Sequence, residues 1–147
     1  MSEEIKTIKH IMDVQGFISI IVGELETRAR FHDRSKLYSP EVETFDVYSK
    51  KLKGCTYNSE EYKQFLKGMK PALDHHYAEN NHHPEHWENG IADMDLVDLT
   101  EMLCDWKAAT LRHDDGDLIK SIEQNQKRFG YSNDIKKLLL KTARRLK

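Results

Sequence analysis

The stretch MDLVDLTEMLCDWKAATLR, residues 94–112, decides the fold class. Leu96, Leu99, Leu103 and Trp106 recur at steps of three and four, which puts them on one stripe of a helix. Asp98, Glu101, Asp105 and Arg112 run down a neighbouring face, and neither proline nor glycine interrupts the run. Asp115-Gly116-Asp117 breaks it. Beyond the break, residues 117–129 and 133–147 read as two final helices. The last is capped by Ser132 and ends in Lys141, Arg144, Arg145 and Lys147, cations that suit a helix C-terminus.

Upstream, a first helix is expected from about Glu3 to about Arg30. Its inward stripe reads Ile5 or Ile8, Met12, Val14, Phe17, Ile18, Ile21 and Leu25, with His10 on or beside that face. The chain breaks near Phe31-His32-Asp33. Ser39-Pro40-Glu41 is a helix start, and that helix carries Val42, Phe45, Val47, Tyr48 and Leu52 to a stop near Gly54. Asn58-Ser59-Glu60 opens another, whose stripe runs through Tyr62, Phe65, Leu66, Met69, Leu73, His76 and Tyr77 and passes Pro71, a place for a kink. Asn80 to Pro84 ends it, and His83, preceding a proline, should be extended. With 3 prolines and 7 glycines in 147 residues, and no lasting β-type alternation, the chain reads as all-α: a single domain over 1–147, a bundle of about six helices.

Apolar residues are 38% and charged residues 33% of the chain, with a net charge of −2, which fits a globular protein and excludes a strong electrostatic footprint for duplex nucleic acid. No apolar run reaches the roughly 18 residues of a membrane span. The start, Met1 to Lys6, lacks the basic and apolar pattern of a signal peptide, so a cytoplasmic location is expected, with Cys55 and Cys104 as reduced thiols. Cys104, beside Asp105, reads as a small buried hydrophobe, and Trp87 and Trp106 read as core.

The chemistry concentrates in histidine. Five of the eight lie between residues 75 and 86: His75-His76 and His82-His83-Pro84-Glu85-His86. Imidazole is the commonest side-chain metal ligand, and first-row divalent metals accept a mixed imidazole and carboxylate shell. His76 continues the stripe of Met69 and Leu73, whereas His75 points about 100° away and should be exposed. Taken alone, His32-Asp33 is a common polar turn, His10 a core histidine, and Asp105 a residue of a solvated face like Asp98 and Glu101.

In chain order, His10, His32-Asp33, His76, His82 or His83, and Asp105 resemble the pattern of the HD superfamily of metal-dependent phosphohydrolases. The likeness is sharpest at Phe31-His32-Asp33-Arg34-Ser35-Lys36-Leu37, since that family commonly carries a lysine three residues after the motif aspartate. His82-His83-Pro84-Glu85 resembles the paired histidines of two-metal members. The segment His75 to Trp87, with Glu101 to Trp106, is similar to an uncharacterised HD-like family of bacteria and phages; the resemblance spans roughly residues 5 to 112. No Gly-Tyr-Pro follows the paired histidines, which sets aside the cyclic-dinucleotide branch. His76 and His83 are seven residues apart, closer than two-metal members lead one to expect, so the metal count stays at one or two.

The resemblance implies an HD-like helical bundle in which His10, His32, Asp33 and Asp105 hold a first divalent metal. Asp33 bridges to a second held by His76 and His83, with His82 as substitute. Manganese, iron, magnesium, zinc, cobalt and nickel are not distinguished. Lys36 would hold a phosphate, and Glu101 would be either an acceptor for a ligand imidazole or a general base. The substrate implied is a nucleotide or other small phosphate ester. The same ligand set also suits a di-iron oxygenase of the HD type, or a non-catalytic metal-stabilised binding protein with a closed ligand shell. A homo-oligomer stays open, since the basic C-terminal helix could serve anionic substrate in a neighbouring subunit.

Overall fold

Local capping sets where the helices begin. Ser2, Ser59, Asp95, Asp117 and Ser132 each accept a backbone N–H from the first turn that follows, which satisfies donors a helix N-terminus otherwise leaves bare. At Asp95 the cap is reciprocal, because Asp98 reaches back to the Asp95 N–H. The resulting structure, a computed structural model, describes residues 2–53, 59–112 and 114–146. It is all-α, with six α-helices and no strand among the described residues. They are α1 (Glu3–Phe31), α2 (Glu41–Lys53), α3 (Glu60–Glu79), α4 (Leu96–Thr110), α5 (Leu118–Phe129) and α6 (Asn133–Ala143). Short 3-10 turns at Arg34–Leu37, Pro84–His86 and Gly90–Asp93 join them. The expected stop at Gly54, Asn58 of the third helix start, Cys55 and Lys147 lie outside the described residues.

The core is formed by α4, α5 and α6. Leu99, Met102 and Leu103 meet Leu118, Ile122, Leu139 and Ala143, with Ile91 and Met94 closing one side. Trp87 and Trp106 pack against it, the latter stacked on Phe129. Pro71 sits inside a continuous α3. Gly130 ends α5 at φ 67°, a left-handed conformation that costs glycine little.

Four expectations fail here. No residue of α1 is buried, so its apolar stripe does not face this core. The 29 residues of α1 make a rod of about 43 Å, and those of α4 one of about 22 Å. The last turns of α1, at Leu25, Arg28 and Ala29, meet α4. Cys104 is exposed rather than buried, and Leu96 points away from the core. Conversely, Asp98 and Glu101 are buried instead of forming a solvated face.

Candidate metal centre

Five segments converge where α1 ends. Beyond Phe31 the backbone turns sharply, and Asp33 takes φ 55°, a left-handed conformation that aspartate tolerates better than most residues. Lys36 folds back from the following 3-10 turn to place its ammonium 2.6 Å from Asp33 Oδ2. The last turn of α3 presents His76, and His83 before Pro84 is extended as expected, bringing His82 and His83 alongside. From α4 come Glu101 and Asp105, one turn apart on one face.

The histidines are oriented by two buried carboxylates. Glu101 accepts from His32 Nδ1 at 2.9 Å and lies 3.1 Å from His82 Nδ1. Glu41, fully buried at the start of α2, accepts from His76 Nδ1 at 2.9 Å and from Ser35 Oγ at 3.0 Å. With Nδ1 engaged on each ring, Nε2 faces inward. His76 Nε2 is 3.3 Å from Asp33 Oδ1 and 2.9 Å from His83 Nε2, and His82 Nε2 is 3.5 Å from Asp33 Oδ1. On the other side of the same aspartate, His32 Nε2 lies 3.6 Å from Asp33 Oδ2 and 3.5 Å from Asp105 Oδ1.

Potential ligand atoms thus gather in two sets that share Asp33: Asp33, His76, His82 and His83, and then His32, Asp33 and Asp105, with the atoms of each set within 4.8 Å of one another. A third set, His32, His82 and Glu101, is the hydrogen-bonded support just described, because Glu101 meets those rings at Nδ1 and also binds Arg28 at 2.9 Å. Two buried atoms, Asp33 Oδ1 and His82 Nε2, have no hydrogen-bond partner among the described residues. Buried polar atoms are rarely left so, and a pair that faces each other across 3.5 Å among imidazoles fits a cation between them.

The charges follow from these contacts. The Asp105 hydrogen bond first, then that of Glu101, push His32 up to about 10. Burial would raise Glu101, but the hydrogen bonds from His32 and His82 outweigh it and hold the carboxyl at about 2. Burial likewise opposes ionisation of Asp33, yet His76 and Lys36 keep it far below the usual carboxylate range. Burial, then the neighbouring His82 and His76, push His83 down to about 3, which leaves it in the base form that a metal needs.

The structure brings together His32, Asp33, His76, His82, His83, Asp105, Glu101 and Lys36, but not His10. His10 is exposed on α1, 22 positions before His32, and one continuous helix separates the two by about 33 Å. His75 is half-buried instead of exposed, with Nδ1 2.7 Å from Glu41 Oε1. The partner of Asp105 is His32, and Arg112 is exposed. Sequence reading missed Glu41, whose place at a helix start explains it equally well as a dipole partner. It also missed Arg28, which binds Asp98 at 2.7 Å and pairs with Glu101 and Asn81. Asn80, one turn after His76, was signalled only by that spacing; it donates to Ser35 Oγ at 2.8 Å. Beside the cluster, a cleft of about 420 Å³ opens between α1 and α4, with Leu25, Ala29, Cys104 and Ala108 as walls and His32 and Asp105 at its edge.

Fold and cluster together define an all-helical protein with a candidate divalent-cation centre. The chain belongs to DUF5662, a family of unknown function whose model matches residues 2–146. No curated protein and no solved structure matches it.

Proposed function

We propose that the protein is a divalent-metal-dependent phosphohydrolase acting on a nucleotide or another small phosphate ester. The observation that carries this is the buried, partnerless pair Asp33 Oδ1 and His82 Nε2, set among inward-facing Nε2 atoms whose rings are held from behind by Glu41 and Glu101. Such carboxylate-backed histidines are the usual dress of a metal ligand. The resemblance of Phe31 to Leu37 to HD phosphohydrolases agrees with it.

His32, Asp33 and Asp105 would hold one cation, and Asp33 with His76, His82 and His83 a second. Metal bound there supplies a water of lowered pKa and neutralises charge on a phosphoryl oxygen. Around it the chain's own groups divide the work. Lys36 sets a positive charge beside Asp33, where a phosphate would lie. Arg28 is committed to Asp98 and Glu101, so it steadies the support rather than meeting substrate. Both Glu101 oxygens are engaged, which suits an acceptor for ligand imidazoles and not a general base.

The test is metal analysis of protein purified without a tag or added metal, followed by a screen of nucleotides and phosphate esters with several divalent metals. Phosphate release abolished by chelator and restored by one metal is expected. Metal-free protein that gains no activity from any of them overturns the proposal, and dioxygen consumption without phosphate release would favour the di-iron oxygenase instead.

A further inference from the structure

The cleft between α1 and α4 adjoins the metal centre, with His32 and Asp105 at its edge. Its volume of about 420 Å³ lies within the roughly 300–1,000 Å³ of small-molecule sites. Two helix faces make the walls. Leu25 and Ala29 stand one turn apart on α1, and Cys104 and Ala108 one turn apart on α4. Burial, and then the Glu101 charge, raise the Cys104 thiol above its ordinary value, so these walls stay uncharged at neutral pH.

The other lining groups are polar but committed elsewhere. Arg28 holds Asp98 at 2.7 Å and Glu101 at 2.9 Å. The second Glu101 oxygen is taken by His32 Nδ1, and His32 Nε2 turns toward Asp33 and Asp105. The Thr100 hydroxyl donates its proton to the Leu96 carbonyl at 2.6 Å. A guest here meets the metal centre at one end and apolar walls along its body. Each hydrogen-bonding group it buried without a partner would weaken it roughly 10- to 100-fold. Each methylene laid on the walls would strengthen it about fourfold. A nucleobase and its ribose carry several groups of the first kind, and an alkyl or aryl group carries none.

On the reading of the chain as a phosphohydrolase, we propose that this cleft receives the leaving group of the substrate and that the group is apolar, so that the substrate is an alkyl or aryl phosphate monoester rather than a nucleotide. In the reaction a water oxygen bonds to phosphorus and the bond from phosphorus to the ester oxygen breaks. The ester oxygen keeps the bonding pair and gains a proton from the water. Inorganic phosphate and an apolar alcohol or phenol result.

Two measurements test this. The first compares ethyl, butyl and hexyl phosphate with adenosine monophosphate in metal-loaded protein. From ethyl to hexyl, kcat/KM should rise about fourfold per methylene, mostly through KM, and adenosine monophosphate should fall at least about 100-fold below hexyl phosphate. Ala108→Leu, which narrows the cleft, should flatten that rise, with the melting temperature reporting an intact fold. The second needs neither metal nor turnover. Cys55→Ser leaves the exposed Cys104 as the one thiol of the chain. In that variant, stripped of metal by chelator, hexanol should slow alkylation of Cys104 by N-ethylmaleimide, adenosine at the same concentration should not, and adding Ala108→Leu should abolish the protection. Adenosine monophosphate turned over as well as hexyl phosphate, or a Cys104 that hexanol leaves unprotected, overturns this inference while the phosphohydrolase reading stands. No phosphate from any ester with any metal overturns that reading and this inference with it.

Discussion

The fully buried Glu41 carboxylate accepts the Nδ1 proton of His76 at 2.9 Å, and His76 Nε2 in consequence faces Asp33 Oδ1 at 3.3 Å. One acid at the start of α2 thus decides which nitrogen a residue of α3 offers to the centre. Removing such a support typically weakens metal binding by about 10- to 100-fold. We expect Glu41→Ala to lower affinity on that scale in a competition titration against a chromogenic chelator, and Glu41→Gln, which keeps an acceptor oxygen, to lose less. Equal affinity in Glu41→Ala and wild type would show that the His76 ring needs no anchor.

His75 and His76 are neighbours in sequence with different expected consequences. His76→Ala should cost most of the metal bound at its set. His75→Ala should keep it to within about threefold, since His75 meets only the outer oxygen of the anchoring carboxylate. His10→Ala should leave metal content unchanged. Metal content by plasma mass spectrometry separates the three, and a loss in His10→Ala would mean that the exposed half of α1 reaches a centre in another copy.

The fold and much of this cluster were legible because both rest on local spacing. The period of residues 94–112 gives a helix whatever surrounds it, and His76 takes its face from Met69 and Leu73. Position along a helix was legible too, yet its consequence for His10 was overridden by the family pattern: a helix from Glu3 to Arg30 already placed that histidine about 33 Å from His32. Glu41 and Arg28 were not legible. Each acts on residues more than 30 positions away in the chain, and no local period records a tertiary hydrogen bond. The bare face of α1 was misread for a related reason, because amphipathic spacing says that a face will be covered but not by what.

Asp105 distinguishes a ligand from a salt bridge. Its structural neighbour is His32 at 3.5 Å, and Arg112 takes no part. Asp105→Asn should therefore fold, lose metal from the set it shares with His32 and Asp33, and lose turnover by more than about 100-fold, while Arg112→Ala stays within about twofold of wild type. Turnover of phosphate esters and the melting temperature, measured on the same samples, check both halves. A fully active Asp105→Asn removes α4 from the metal shell.

The metal-free protein should have a stability maximum on the acid side of neutrality. Glu101 ionises at about 2 in the folded chain against an ordinary 4.5, because hydrogen bonds from His32 and His82 overcome the effect of burial. A depressed carboxyl adds stability above its ordinary value and loses it as pH falls toward 2. Asp33 and Asp105 act in the same direction, the first through His76 and Lys36 and the second through His32, each against burial. His32 runs the other way. Raised to about 10 from 6.5 by Asp105 and then Glu101, it adds its full share below 6.5 and loses it as pH climbs to about 10. His83, pushed down to about 3 by burial and then by His82 and His76, takes up its proton on unfolding, so stability is also lost as pH falls below 6.5. The melting temperature without metal should accordingly peak near pH 6.5 and fall on both sides. Glu101→Gln should flatten both limbs at once, since it removes a depressed acid and one of the two acceptors that hold the His32 proton. Calorimetric scans of chelated protein from pH 2 to 10 would decide it: an unchanged profile in Glu101→Gln, or a maximum above pH 9, would show that these groups do not set the charge balance of the centre.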